Sequence, residues 1–86
     1  MTTKIATAEQ AIQHATETGS DDGETLYSEN HEGYRSESHA ISGLGVCASE
    51  AASVLSVPQK FYAAWVDAYE TAARKTILRL YREANA

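Results

Sequence analysis

The sequence lacks the covalent and metal-binding elements that stabilise many small domains. Only one of its 86 residues is a cysteine, Cys47, which excludes an intrachain disulfide and is typical of a reducing compartment. The histidines His14, His31 and His39 form no H-x-x-x-H pair, the spacing at which one helical turn presents two ligands to a metal. We therefore expect no cofactor and no metal site, so that side-chain packing or association supplies the stability.

The chain also lacks long apolar runs. No stretch approaches the length that a membrane-spanning helix needs, and the N-terminal sequence MTTKIATAEQ has no apolar core of the kind found in signal peptides. A chain of 86 residues has little room for a second core. The sequence thus predicts a single small domain over residues 1–86, soluble and cytoplasmic, with no membrane partner.

Basic residues are scarce in the first part of the chain. Residues 1–50 contain nine acidic and two basic residues, a net charge of −7, whereas residues 51–86 contain three acidic and five basic residues, a net charge of +2. An acidic surface is repelled by nucleic-acid phosphates and attracts basic protein surfaces. We therefore expect a protein partner and no direct binding of nucleic acid.

Apolar residues at helical spacing predict a mainly α fold. Three helices are predicted, at about residues 3–18, 38–56 and 58–85. Pro58 separates the second helix from the third, because proline suits the first turn of a helix and disfavours helical geometry in the residue before it. The connection is short, which predicts that these two helices form an αα-hairpin.

Residues 19–37, GSDDGETLYSENHEGYRSE, are predicted to lie between the first two helices as an acidic loop or a small β-hairpin. The segment contains six acidic residues and one basic residue, and it is rich in the glycine, serine, aspartate and asparagine that favour turns. Gly19 is expected to end the first helix. The runs ETLYS and GYRSE could pair as two short strands, so both structures stay open.

Patterns that would indicate a cofactor or an enzyme are weak. GLGVCA at 43–48 resembles a dinucleotide-binding pattern, which needs strands around it where helices are predicted. TGSDDGETLYSE fits a calcium loop except that Thr18 stands where the first aspartate is needed. Cys47 lies in an alanine-rich helical stretch, where a buried thiol is unreactive. No catalytic, cofactor-binding or metal-ligating residue is therefore predicted.

The predicted third helix is apolar on more than one side. Projection at about 100° per residue puts apolar side chains on two sides, separated by narrow polar edges. The other helices offer mainly alanine, glycine and a few aliphatic residues, so we expect a second chain, most simply an identical copy in a two-fold dimer, to cover the surplus. The residues predicted for this partner interface are Phe61, Tyr62, Trp65, Val66, Tyr69, Ile77, Leu80 and Tyr81.

These observations favour a non-catalytic function. The first hypothesis is a protein-binding or regulatory module that self-associates, or docks on a partner, through its long C-terminal helix. The alternative is an acidic inhibitor, of the kind that phages use, which blocks the basic nucleic-acid-binding surface of a target protein. A metal- or thiol-dependent enzyme is a minor alternative. The acidic contact surface of the inhibitor hypothesis consists of Asp21, Asp22, Glu24, Glu29 and Glu32.

Overall fold

A computed structural model describes residues 5–86, and this part of the chain is helical without a β-strand. The mainly α fold is confirmed, and the last two helices follow each other closely, consistent with the predicted helical hairpin. Four α-helices and two 3₁₀ turns occur in chain order. They are α1 (Ala8–Asn30), a 3₁₀ turn (His31–Gly33), α2 (Glu37–Ala40), α3 (Leu44–Val54), a second 3₁₀ turn (Gln59–Phe61) and α4 (Tyr62–Ala84).

The first helix begins with a reciprocal cap. The Thr7 hydroxyl accepts a hydrogen bond from the Gln10 backbone N–H at 3.1 Å, and the Gln10 side chain accepts one from the Thr7 N–H at 3.3 Å. This capping box satisfies backbone donors that a helix N-terminus leaves without partners. It fixes the start of α1 at Ala8, inside the predicted range.

The end of α1 differs from the prediction. The helix does not stop at Gly19 but continues to Asn30, so residues 19–30 form neither a loop nor a hairpin. Only residues 31–36 connect α1 to α2, through the 3₁₀ turn. Helix propensity alone would disfavour glycine here, since each interior glycine costs about 1 kcal/mol against alanine. Packing against α4 offsets that cost.

Small residues on one face of α1 permit that packing. Ala11, Ala15, Gly19 and Gly23 lie every fourth position and are all buried. A Cβ atom added to Gly19 would overlap the Tyr69 carbonyl oxygen and lie 3.0 Å from the Tyr69 Cα. The two backbones therefore approach so closely that a methyl group does not fit between them.

The two long helices run parallel to each other. His14 near the start of α1 contacts Trp65 near the start of α4, and Gly23 further along α1 meets Ala73 further along α4. The core lies between α1, α3 and α4, where Trp65 and Ile77 are completely buried. The largest fully buried side chains come from α4, whereas α1 contributes alanines and glycines and α3 contributes alanines and Leu44. A chain poor in large apolar residues fills its interior in this way.

An ion pair joins the start of α2 to the end of α4. The Arg82 guanidinium donates two hydrogen bonds to the Glu37 carboxylate, at 2.7 and 3.0 Å. The hydrogen bond from Arg82 lowers the pKa of Glu37 below its usual value of 4.5. Because the folded-state pKa is depressed, the pair stabilises the fold above pH 4.5, and this stabilisation is lost as the pH falls through the lowered value.

Substituting Glu37→Gln is therefore expected to lower the urea midpoint slightly at pH 7 and to leave it almost unchanged at pH 3, relative to the unsubstituted chain. The effect is small because both side chains are largely exposed. Urea unfolding at both pH values measures it. Glu24→Gln is the control, since Glu24 is exposed and has no ion-pair partner among residues 5–86. An equal midpoint shift at the two pH values would contradict the prediction.

Candidate functional site

The structure removes three residues from the predicted partner interface. Trp65 and Ile77 are completely buried and Tyr69 is 2% exposed, all within the chain's own core. A partner cannot reach them in this fold, so their assignment to the interface is corrected. The reason is that α1 is longer than predicted, and its small residues cover the second apolar side of α4. The remaining five predicted residues, Phe61, Tyr62, Val66, Leu80 and Tyr81, are half-buried.

The predicted acidic residues lie on α1 and on the turn after it. Asp21, Glu24 and Glu32 are exposed and do not line the space between α1 and α3. Asp22 and Glu29 do line it. They are seven positions apart, two turns of helix, and so project from one side of α1. The acidic residues therefore do not form a single surface.

Asp22 and Glu29 belong to a groove between α1 and α3, which we call the α1–α3 groove. It encloses about 480 Å³ and lies open to solvent. Glu50 of α3 adds a third carboxylate, and no lysine, arginine or histidine of residues 5–86 lines the groove. The apolar residues that line the groove are Leu26, Cys47, Ala51, Val54 and Leu55, with Tyr69 below them. Two threonines, Thr18 and Thr25, also line it.

Two apolar side chains at one end of this groove are exposed to solvent. Val54 is 82% exposed and Leu55 is 41% exposed. The end of α3 fixes their position: the Val57 N–H donates to the Ala52 carbonyl at 3.0 Å and the Ser56 N–H to the Ser53 carbonyl at 3.2 Å. Ser56 has φ 55°, the left-handed conformation of a Schellman helix ending, which usually selects glycine. The chain thus turns sharply and holds Val54 and Leu55 at the surface.

A hydrogen bond to the core orients one of the groove's carboxylates. The Tyr69 hydroxyl donates to Asp22 Oδ2 at 2.5 Å. Burial, and then this hydrogen bond, raise the pKa of Tyr69, so the hydroxyl stays protonated and keeps its role as a donor. The Asp22 carboxylate is therefore held at the groove, and its Oδ1 atom is not used by this bond.

The indole N–H of Trp65 has a hydrogen-bond partner within the fold, the side chain of His14. The Trp65 Nε1–H donates to His14 Nδ1 at 3.0 Å, and the two rings lie 5.9 Å apart. This arrangement needs a neutral imidazole whose proton is on Nε2, because a protonated Nδ1 cannot accept. His14 therefore has a structural role in the core. Within residues 5–86, no three His, Cys, Asp or Glu side chains are grouped so that they could hold a metal ion.

Cys47 is half-buried between the α1–α3 groove and a smaller cavity of about 260 Å³. His39 lines that cavity, but its Nδ1 accepts the Arg35 backbone N–H at 3.1 Å. No hydrogen bond joins Cys47 to a histidine in the described part of the chain. In the described residues the thiol therefore has no hydrogen-bonded base of the kind that nucleophilic catalysis uses.

A second groove lies between α1 and α4 and encloses about 530 Å³. Ile12, which is 46% exposed, is its main large apolar residue. Its charges are mixed, since Asp67 lines it together with Lys75 and Arg79. This groove therefore has fewer exposed large apolar side chains than the α1–α3 groove and no uniform sign of charge.

Sequence reasoning missed the groove residues Glu50, Val54 and Leu55. Val54 and Leu55 fall in the last turn of the predicted second helix, and helical spacing alone does not show that they stay exposed. The available signal is the turn SVP that follows them, which places both residues in the last turn of the helix. That signal locates the helix end but not the direction in which its side chains point.

No helix within residues 5–86 has the length and apolar character that crossing a membrane requires. A comparison of the chain with protein-family models, with curated protein sequences and with solved structures finds no significant match.

Proposed function

We propose that this chain is a non-catalytic protein-binding module that receives part of another protein in the α1–α3 groove. The observation that carries the proposal is the exposure of Val54 and Leu55 beside an apolar groove. Fully burying one such side chain contributes about 1.5–3 kcal/mol, so a partner that covers them gains free energy that the isolated chain does not have. Exposed apolar side chains that are grouped in this way are typical of an interaction site.

Acidic residues beside the apolar lining favour a basic partner, as in the inhibitor hypothesis. Of the five residues predicted for an acidic contact surface, the groove uses Asp22 and Glu29 and adds Glu50. A target protein with a basic surface would be attracted by these carboxylates. Blocking a nucleic-acid-binding surface is one consequence of such binding, and it stays a prediction.

Self-association through α4 also stays a prediction, but fewer residues are available for it than the sequence predicted. The half-buried residues left for it are Phe61, Tyr62, Val66, Leu80 and Tyr81. A two-fold dimer through these residues would leave the α1–α3 groove free, since none of the five lines it. A molar mass measurement by light scattering decides whether the chain forms a dimer.

Exposed apolar positions inside and outside the groove provide matched tests, with cross-linking first and valine variants second. Val54 is 82% exposed and lines the groove, whereas Val46 is 64% exposed and does not. A photo-reactive amino acid is placed at position 55, or at position 46 as control, and the chain is irradiated in an extract of its source organism. We expect a protein that is cross-linked from position 55 and not from position 46.

The captured protein is then purified and its affinity is measured with valine variants. Val54→Ser is expected to weaken binding about ten-fold, which corresponds to the lower part of the free energy of burying a valine. Val46→Ser is expected to leave the affinity unchanged, and circular dichroism checks that both variants fold. Equal cross-linking from the two positions, or equal affinities of the two variants, would refute the proposed function.

A further inference from the structure

We infer that the occupant of the α1–α3 groove is a basic amphipathic helix of a partner protein, about two to three turns long, with lysine or arginine on both sides of an apolar stripe. The inference rests on the proposed function and adds the chemistry and the shape of what is bound. Three features of the groove carry it: the sign and position of its charges, its length, and the absence of a sheet edge.

Carboxylates line both walls of the groove. Asp22 and Glu29 are on the α1 wall and Glu50 is on the α3 wall. None of the three forms an ion pair within residues 5–86. Because an acidic occupant would be repelled from both sides, the complementary segment carries cations on each flank of the apolar residues that cover Val54 and Leu55.

The length of the groove sets the length of the occupant. Its α3 wall runs from Cys47 to Leu55, which corresponds to about 12 Å at 1.5 Å per residue. On the α1 wall, Asp22 and Glu29 are separated by about 10 Å. A helix of two to three turns spans this distance, and its apolar residues at positions i, i+3 or i+4, and i+7 would follow the lining.

The walls favour a helix over an extended strand. Both are α-helices whose backbone N–H and C=O groups bond within the helix, and the described residues contain no β-strand. An extended peptide gains affinity by adding main-chain hydrogen bonds to a sheet edge, and no such edge is present in this part of the chain. An amphipathic helix needs only side-chain contacts with an apolar groove, which the α1–α3 groove offers.

A second copy of this chain is a weaker candidate for the occupant. The three arginines of its longest basic stretch, on α4, are each paired with a carboxylate of the same chain: Arg74 with Glu70, Arg79 with Glu83 and Arg82 with Glu37. Binding these arginines to a second copy would require the pairs to break, which leaves Lys75 as the cation of α4 without an ion pair in residues 5–86. A partner whose cations are free gains the full electrostatic attraction, so we assign the groove to a different protein.

Designed peptides test this assignment directly. The probe is a fluorescent, side-chain-stapled helical peptide of about twelve residues, with leucines along one stripe and lysines on both flanks. One control carries glutamate in place of every lysine, and a second carries alanine in place of every leucine. We expect the lysine–leucine peptide to bind at least about ten-fold more tightly than either control in fluorescence anisotropy, and to weaken as salt is added.

Charge-neutral variants of the protein locate the binding. Glu29→Gln and Glu50→Gln are each expected to weaken binding of the lysine–leucine peptide about three-fold, as the loss of one exposed charge pair does. Glu24→Gln is the matched control, because Glu24 makes the same charge change on α1 but does not line the groove. Glu24→Gln should reduce the binding free energy by less than half of the reduction caused by Glu29→Gln or Glu50→Gln.

Several outcomes would overturn the assignment. Equal binding of the lysine and glutamate peptides, or an effect of Glu24→Gln as large as that of Glu50→Gln, would show that the groove does not select basic helices. A dimer in sedimentation equilibrium that Val54→Ser dissociates would assign the groove to a second copy instead. If the peptides do not bind selectively but the captured protein still binds Val54→Ser more weakly than Val46→Ser, the assignment of a basic helix is refuted. The proposed function then stands.

Discussion

Replacing Gly19 with alanine is expected to destabilise the fold by about 3 kcal/mol, although the same change on an exposed helix stabilises it. The added methyl group would overlap the Tyr69 carbonyl oxygen and lie 3.1 Å from the Ala72 Cβ. Backbone atoms cannot move aside as a flexible side chain can, so α1 and α4 must separate along their whole contact. This loss is a large part of the free energy of unfolding, which is roughly 4–13 kcal/mol for a domain of this size.

Urea unfolding measures this effect, and the single tryptophan, Trp65, provides the signal because it is completely buried in the folded state. Gly33→Ala is the matched control, since no atom beyond the neighbouring residues of the chain lies within 4 Å of a Cβ added to Gly33. We expect it to change the free energy of unfolding by less than about 0.5 kcal/mol. If Gly19→Ala raised the urea midpoint, the close contact between α1 and α4 would be refuted.

Replacing Trp65 with alanine is expected to cost about 4 kcal/mol of stability, within the range measured when large aromatic residues are truncated in a core. The side chain is completely buried, stacks on Tyr69 with ring centroids 5.4 Å apart, and donates to His14 Nδ1. Its removal would leave a cavity between α1 and α4 and an imidazole without its donor. The variant should be largely unfolded at 37 °C if the domain is at the lower end of the expected stability range.

Circular dichroism at 222 nm, followed through a urea titration, measures the loss for variants without tryptophan. Trp65→Phe separates the two contributions, because it keeps most of the ring and removes only the N–H donor. We expect it to cost about 1–2 kcal/mol, less than half of the alanine effect. A fully folded Trp65→Ala chain with an unchanged midpoint would instead place Trp65 outside the core, at an interface as the sequence analysis predicted.

The candidate site was predicted only in part. The density of acidic residues in their segment predicts a contact role for Asp22 and Glu29, and both line the α1–α3 groove. Glu50 and Val54 were not predicted, because a helical stripe indicates which residues share a face and not which face stays uncovered. Which face another helix covers depends on contacts between residues far apart in sequence.

The interpretation of Gly19 shows why the rest could not be predicted. Locally, glycine among serine and aspartate favours a helix end, and the same residue inside a helix costs about 1 kcal/mol. The structure nevertheless keeps Gly19 in α1, because without a side chain it admits the backbone of α4. A gain in packing between distant residues overrides the local preference, and no local pattern contains that gain.

The sequence by itself therefore determined the helical class, the approximate range of the last helix and the concentration of negative charge in the first half of the chain. Those properties follow from spacing and composition, which are local. Only the tertiary structure decided that residues 19–30 are helical, that Trp65, Tyr69 and Ile77 belong to the core, and that Val54 and Leu55 remain exposed. The physical reason is that α1 covers α4 through small residues, and the backbone separation that makes this possible is set by both helices together.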